Sequence, residues 1–592
     1  MSEKVSIEKF KGIKNDTDPK QTSFEYFSNI VNFDFQNTST LGLEPILYPK
    51  VLNFFEASQI DGIAEYLFLD SNNVLRQKII VVCNGSIYFT DFTTKTLIKS
   101  GLHTGKCSFA VYLDKLLITN GIDNIQVYDG ENDKIKEMGA PYLYIENTGL
   151  LLGVYRYAIT YVTTGGEEVI GSVSEPITTY NNSVRVELPI GYDGTTKRRI
   201  YRTAGNGTQL KFLKEIDDNT TLTFIDNLGD YFLSTDIPAT NNELPKPYFL
   251  QTAGGKLYGG KVDKYPTQLF PTTVGNLVFD LASFIDISNY SVDNSAIQGL
   301  GEDFDKIVVG TQKNIFFVNP TDDTVVLTRA NVGFLDGYTL AKIPSFAGFT
   351  GGLMFVSTAR DIRIMTGLQS LPVSTSLDNI STLNYAQDIQ GTLPLDLKSY
   401  TNIHAQYFNY RYHLQIDNIR YVFDIRNNSW TTHKVQTETY LSSPSVLSVI
   451  NNQLYNGQVD GYCELEYAEV QYRDEDCQAK LESVEINASS QFSFIEKMYF
   501  WFNSSENNNM ELTVTTDSNQ AYKETKEFNI LDGAFNEDFL DINFGTNKNG
   551  MDYRVFNIYK PCRWIKYKLV ISSGSISFQN FEISGQTISN KE

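Results

Sequence analysis

The 592-residue chain has four histidines, five cysteines and three tryptophans. It contains no run that approaches the roughly 18 apolar residues a membrane-crossing helix needs. Each scarcity removes a class of function. His103, His404, His413 and His433 form no HExxH or HxH pattern and have no metal-binding helical spacing, so a histidine-built metal site has no support. His413 alternates with apolar neighbours and reads as a hydrogen-bonded core or rim residue of a strand. Cys83, Cys107, Cys463, Cys477 and Cys562 are scattered without a CxxC pair, which argues against a disulfide framework and against metal ligation. There is no GxSxG elbow and no Gly-rich loop ending in Gly-Lys-Ser/Thr, so neither a serine nucleophile nor a phosphate cradle is indicated. The first twenty residues lack an apolar core, so no signal peptide is expected, and the simplest expectation is synthesis and folding in a cytoplasm.

Positive charge is also scarce. Lys and Arg number 49 against 70 Asp and Glu, a formal net charge of −21. A protein that grips nucleic acid needs a basic footprint, and this chain has none of that scale. The charge fits a soluble, self-repelling particle, or a wall along which a polyanion passes without sticking. The basic run KRRIYR at 197–202 falls on a strand-like stretch, so its charges divide between two faces. It reads as a solvated face or a subunit contact, with phosphate contact as the alternative. Lys560, Arg563, Lys566 and Lys568 read the same way. The acidic clusters at 129–133 and 474–476 do not follow the ligand spacing of a calcium loop and read as solvated turns, with calcium binding left open. Asn-x-Ser/Thr triplets such as those at Asn206 and Asn487 are chance products of an Asn-rich chain.

What the chain has in plenty is Tyr, Phe, Ile, Val and Thr, with 36 Tyr and 38 Phe. These residues suit pleated, half-buried surfaces, so an all-β fold is expected. One pattern recurs: a short apolar strand, a polar turn, and a second strand. It occurs at 78–91, 115–129, 256–270, 306–319, 352–366, 410–424 and 453–466. The first copy turns at Asn84-Gly85, a strong hairpin signal because both residues accept positive φ. Marking each copy at Ile79, Leu116, Leu257, Ile307, Leu353, Tyr412 and Leu454 gives steps of 37, 141, 50, 46, 59 and 42. The step of 141 becomes about 40 if about 100 residues are inserted there, and self-similar units of this length are a propeller signature. Small sheets that cannot bury both faces alone bury each other when stacked radially. The alternative is a set of unrelated hairpins in a large β-sandwich protein.

The expected insert has six or seven short strands. They include an alternating run from Gly153, a turn at Gly165-Gly166, and strands near 183–188, 197–203, 211–216 and 221–226. That suits an immunoglobulin-like or fibronectin type III-like sandwich. After about 474 the hairpin pattern stops, and a second sandwich is expected. The expected organisation is an N-terminal arm or closing strand over 1–58, with a loop at 42–50, and propeller blades over 59–140. The inserted domain follows over 141–245, further blades over 246–475 and a C-terminal β-sandwich over 476–592.

Four segments resemble the tail nozzle, or tail hub, proteins of short-tailed bacteriophages (the tail tubular protein B-like family). They are the opening stretch at 12–34, the insert with Tyr155-Arg-Tyr-Ala-Ile-Thr-Tyr and Arg199-Ile-Tyr-Arg-Thr, the stretch from Lys256 to Ile287, and the end at 556–583. The position of the insert between the second and third repeats is the most specific part. The seven repeats are expected to form a propeller of about seven blades, and the resemblance implies that copies form a homo-oligomeric ring, typically a hexamer, in the virion tail, assembled in the host cytoplasm. It implies an adaptor or ring protein under the portal and tail fibres or spikes as partners. DNA would pass through the channel without specific binding. It implies no enzymatic activity, no catalytic or metal-binding residue, no cofactor and no membrane-spanning segment. A glycan-binding adhesin is the alternative. A glycan-cleaving propeller is a further one, although the repeated Ser-x-Asp-x-Gly-x-x-Trp box of sialidase propellers is missing.

Overall fold

The computed structural model describes residues 2–7, 10–13, 25–35, 42–130, 135–238, 243–291, 294–346, 349–372, 400–434, 443–469, 478–487, 494–504, 508–517, 522–528, 552–573 and 576–586. The fold is all-β, and helix among these residues is confined to 3-10 turns at Asp230–Phe232, Ile287–Tyr290 and Gly337–Thr339. No helix among them is long and apolar enough to cross a membrane. The chain forms two compact units, one comprising Phe55–Ala359 and Met365–Ser370, the other Met1–Phe54, Arg360–Ile364 and Leu371–Glu592.

Seven four-stranded units of the propeller-blade type carry the repeats, six of them as separate sheets and one as part of a larger sheet. The first runs Ile60–Leu69, Leu75–Cys83, Ser86–Thr90 and Lys95–Lys99, and the second Ser108–Tyr112, Lys115–Thr119, Gln126–Tyr128 and Ile135–Glu137. The third runs Phe249–Ala253, Lys256–Gly260, Gln268–Pro271 and Ile285–Asp286, and the fourth Gly299–Asp303, Lys306–Gly310, Ile315–Val318 and Val325–Leu327. The fifth consists of Ala341–Ile343, Gly352–Val356, Ile362–Thr366 and Gln369–Pro372. The sixth unit, Ile403–Phe408, Arg411–Ile416, Ile419–Asp424 and Ser429–Lys434, is not a separate sheet: Ser429–Lys434 pairs in parallel with Phe27–Val31, so the four strands continue into a ten-stranded sheet. The seventh takes Pro444–Ile450, Gln453–Gln458 and Tyr462–Glu469 from one part of the chain and its outer strand, Tyr48–Phe54, from near the N-terminus. All seven hairpins expected from the sequence are present, each as the second and third strands of its sheet.

The cores show why the sheets need one another. Tyr66, Ile80 and Ile87 of the first sheet pack in one cluster with Leu116, Ile118 and Tyr128 of the second. Tyr258 and Leu269 of the third share a cluster with Ile307 and Phe316 of the fourth. Val308 and Phe317 join Leu353 and Phe355 of the fifth. Each such side chain contributes roughly 1.5–3 kcal/mol on burial, and a lone four-stranded sheet would leave half of them in water.

Between the second and third sheets lies the insert. It is a sandwich of a three-stranded sheet (Tyr142–Tyr155, Ile177–Glu187, Thr223–Asp226) and a four-stranded one (Glu168–Val173, Tyr157–Thr163, Thr195–Thr203, Leu210–Ile216). The run from Gly153, which reads as a single strand, divides between the sheets at Arg156, and the chain crosses back at Ser174–Pro176, where proline cannot donate to a ladder.

In the other unit, a second sandwich is built from both ends of the chain. Ser2–Ile7, Phe33–Phe35 and Leu43–Pro45 join Phe494–Ser504, Asp552–Pro561 and Ile576–Gln586 in one sheet. Phe27–Val31 lies beside Ala479–Ser483 in the other, with Trp564–Ser573, Asn508–Thr516 and Tyr522–Phe528 beyond. Phe10, Phe27, Phe33 and Leu43 are buried in its core with Phe500, Tyr567 and Phe581. The stretch 42–50, expected as a loop, therefore holds one strand and the start of another. Leu43 and Pro45 are buried and Glu44 is partly exposed, an alternation too short to stand out in the sequence.

Candidate functional site

Among the described residues there is no cluster of three or more His, Cys, Asp or Glu that could hold a metal ion. Cys83, Cys107, Cys463 and Cys562 are free. Burial pushes the Cys83 thiol up to about 12 and that of Cys562 to about 11, which leaves little thiolate for nucleophilic work. Cys477 and the acidic cluster at 474–476 lie outside the described residues, as do 131–133 of the other cluster. Gly130, beside Asp129, has φ 84°, and a Cβ there would lie 2.7 Å from the Phe68 ring.

The basic run is fully employed inside the insert. Lys197 pairs with Glu215 at 2.8 Å and Asp217 at 3.0 Å, and Arg199 with Glu168 at 2.6 Å and Glu215 at 2.8 Å. On the other face Arg198 and Arg202 are buried. Arg198 donates to the carbonyls of Pro189, Asp218 and Thr221. Arg202 meets Asp226 at 2.6 Å and Asp230 at 2.7 Å, and Asp226 also accepts from the Tyr157 hydroxyl at 2.8 Å. The division between two faces matches the alternation of the strand, and the cations are held by carboxylates and carbonyls of the insert itself. Of the C-terminal cations, Lys568 lies 3.5 Å from Glu482.

Three histidines find partners. His103 lies 2.8 Å from Asp123, His404 accepts from the Leu447 amide at 3.3 Å, and His433 lies 2.9 Å from the buried Asp34. His413 differs from expectation. It is fully buried, and neither ring nitrogen has a hydrogen-bond partner among the described residues. His413, His433 and Tyr467 form a triangle of rings with centroids 6.3 Å apart on every side. Tyr467 comes from the seventh sheet, at a point where the pairing slips and its φ is 56°. Burial, with Arg420 next, drives the His413 imidazole well below its usual range, so it stays neutral. Burial acts to raise the Asp34 carboxyl, but Arg411 and His433 together hold it well below the carboxylate range.

Beside this triangle Arg420 pairs with Glu466 at 2.7 Å and donates to Gln415 at 2.9 Å, while Gln458 donates to Glu464 at 2.6 Å. Burial, then the neighbouring Glu466, pushes Glu464 up to about 7. A neutral imidazole crowded by two arginines is a weak base, and the arrangement suits fixing register between the sixth and seventh sheets better than proton transfer.

The turns carry a signal that the sequence patterns did not expose. Five sheets join their first and second strands by two-residue turns with both residues left-handed: Leu113-Asp114, Gly254-Gly255, Phe304-Asp305, Asn409-Tyr410 and Asn451-Asn452. These are the dihedrals of type I′ hairpins, which favour Asn, Asp and Gly. Leu and Phe there cost about 1–2 kcal/mol each, and both side chains point into solvent, Leu113 45% and Phe304 60% exposed. A second apolar surface lies on the insert, where Leu152 and Tyr180 pair across the outer face of the three-stranded sheet.

No family model matches the chain, and no curated protein does. Among solved structures, the chain is similar to a computationally designed protein, Ika8, at 12% identity and a TM-score of 0.33, over 71% of this chain and 98% of that one. It is similar to a catalytically inactive virginiamycin B lyase from Staphylococcus aureus with quinupristin at 10% identity and a TM-score of 0.26, over 71% and 98%. BamB from Moraxella catarrhalis is similar at 9% identity and a TM-score of 0.23, over 56% and 98%. At TM-scores this low the fold stands on the chain's own sheets, an all-β chain of propeller blades with an inserted and a C-terminal sandwich.

Proposed function

We propose that this chain is a non-enzymatic structural component of a bacteriophage tail. Copies form a ring-shaped nozzle through which the genome leaves, and to which an adaptor protein and fibre or spike proteins attach. The observation that carries the reading is the fibronectin-like insert between the second and third blades, in a chain whose segments resemble tail nozzle proteins. Two further features support it. Rigid sheets with paired backbones hold a channel shape without moving parts. The net charge of −21 allows an acidic lumen that repels phosphate, whereas basic walls would bind DNA nonspecifically. Electron microscopy of the purified full chain tests the reading. Open rings with a bore wide enough for duplex DNA are expected; monomers at every concentration would overturn it.

A further inference from the structure

We infer that copies of this chain meet head to tail, with the apolar turn tips of the first four sheets of one copy seated on the apolar end of the inserted sandwich of the next. The inference rests on the ring reading above and adds the surfaces that make the contact.

The first surface is an arc of knobs. Leu69, Val74, Leu75, Leu113, Val274 and Phe304 are all exposed, and all stand at the sheet ends that carry the first-to-second and third-to-fourth strand turns. Val274 sits beside the Gly254-Gly255 turn, 3.7 Å from where a Gly255 side chain would begin. At the opposite ends the first sheet turns at Asn84-Gly85 and the fourth at Gln312, Lys313 and Asn314, while the second carries a single exposed apolar residue, Ile122. Apolar side chains therefore collect at one end, and at Leu113 and Phe304 they do so against the backbone's preference for Asn or Gly. Packing does not explain the choice, because the side chains face water.

The second surface is the exposed end of the insert. Leu150, Leu152, Val154 and Tyr180 face outward, and Tyr180 is 75% exposed. Asn206 holds Val154 by backbone and side-chain bonds of 2.9 and 3.0 Å. The adjoining Gly205 amide donates to Asp230 at 2.8 Å, which fixes the next residues, Tyr231 and Phe232, nearby. Tyr231 is 80% exposed.

Area and charge name the occupant. At roughly 100 Å² per side chain each surface offers on the order of 600 Å² of apolar area, close to the roughly 800 Å² each partner contributes to a standard interface. Several carboxylates at both surfaces are matched on the chain. Asp70 pairs with Arg76 at 2.9 Å, Asp323 with Lys256 at 3.0 Å, and Glu302 with Lys342. On the insert Asp230 pairs with Arg202 at 2.7 Å and Glu146 with Arg185 at 2.8 Å. Copies that repel one another overall can approach where local charge is neutralised. The two surfaces share no residue, so the contact is heterologous, the geometry that generates rings.

Sedimentation velocity on the full chain tests this with two variants. Leu113→Asn/Phe304→Asn removes two knobs with residues the turns prefer, so folding is retained. Leu152→Ser/Tyr180→Ser removes the seat. If that pair unfolds the insert, Tyr180→Lys alone replaces it. Wild type is expected to assemble, more strongly as salt screens its net charge. Each variant alone is expected to stay monomeric, and an equimolar mixture to form dimers and nothing larger, since each variant keeps one competent surface. Wild-type rings with either variant assembling unchanged, or a mixture that stays monomeric, would overturn the inference and leave the ring reading standing. Monomeric wild type overturns both. Wild type that stays monomeric but floats with anionic phospholipid vesicles, losing this with Phe304→Asn, would overturn it in favour of a lipid surface.

Discussion

Replacing Arg202 by Met leaves Asp226 buried without its guanidinium. Arg202 and Asp226 have no solvent exposure and lie 2.6 Å apart, and Arg202 also donates to the Leu228 carbonyl at 2.8 Å. Asp226 keeps the Tyr157 hydroxyl at 2.8 Å and the Leu228 amide at 3.0 Å, so it is solvated in part but uncompensated in charge. Breaking one side of such a pair costs about 3–5 kcal/mol, whereas replacing both sides with apolar residues of similar size is close to neutral. A chain of several domains has no single unfolding free energy, so the readout is hydrogen exchange in peptides from the strand Thr195–Thr203. Arg202→Met is expected to speed exchange there by about two to three and a half orders of magnitude, and Arg202→Met/Asp226→Leu to recover most of the loss. Acceleration below about tenfold for the single variant, or a double variant worse than the single, would refute the reasoning.

The seventh sheet supplies a pH test. Burial and Glu466 push Glu464 from an ordinary 4.5 up to about 7, so its carboxyl holds a proton more tightly folded than unfolded. Stability contributed there falls as pH rises from about 4.5 to 7 and levels off above. Glu464→Gln should therefore gain on wild type across that window, by on the order of 3 kcal/mol at its top, measured as exchange protection of the strand Tyr462–Glu469. Gly130→Val would force a side chain into the Phe68 ring at a left-handed backbone. Faster hydrogen exchange of the strand Ile60–Leu69, which holds Phe68, is expected, and unchanged exchange there would show that the ring yields freely. Asn53 lies opposite the buried Cys463 in the strand that completes the seventh sheet. Asn53→Pro should loosen that strand and make Cys463 react with maleimide at a pH where the wild-type thiol does not.

The second and third strands of each sheet were legible because they carry apolar runs, such as 307–310 within Lys306–Gly310 and the whole of Ile315–Val318, separated by polar turns. The first strands were not. Their turns at Leu113-Asp114 and Phe304-Asp305 use residues that do not announce a turn, and nothing local shows that their backbones are left-handed. The outer strand of the seventh sheet, Tyr48–Phe54, lies some four hundred residues from the strand it pairs with, and no local pattern encodes such a pairing. His413 illustrates the limit for sites. Its alternation correctly placed it inside a strand, but the triangle with His433 and Tyr467 depends on a register slip in another sheet, which only the fold supplies.

The insert also changes what the propeller can do mechanically. Its residues Leu151, Tyr155, Val184 and Ile200 belong to one buried cluster with Leu117 and Val127 of the second sheet and Leu257 and Phe279 of the third. Tyr192 and Leu188 fall in the same cluster, and Asn276 of the third sheet donates to the insert's Gly191 carbonyl at 2.7 Å. A domain tethered by a linker alone would pivot and could not fix a neighbour's angle. A domain that shares its core with two blades cannot pivot without exposing that core, at roughly 25 cal/mol for each Å² uncovered. The apolar end of the insert is therefore held at a fixed position relative to the turn tips. That rigidity gives a head-to-tail contact one angle per step, which a closed ring requires and an irregular aggregate does not.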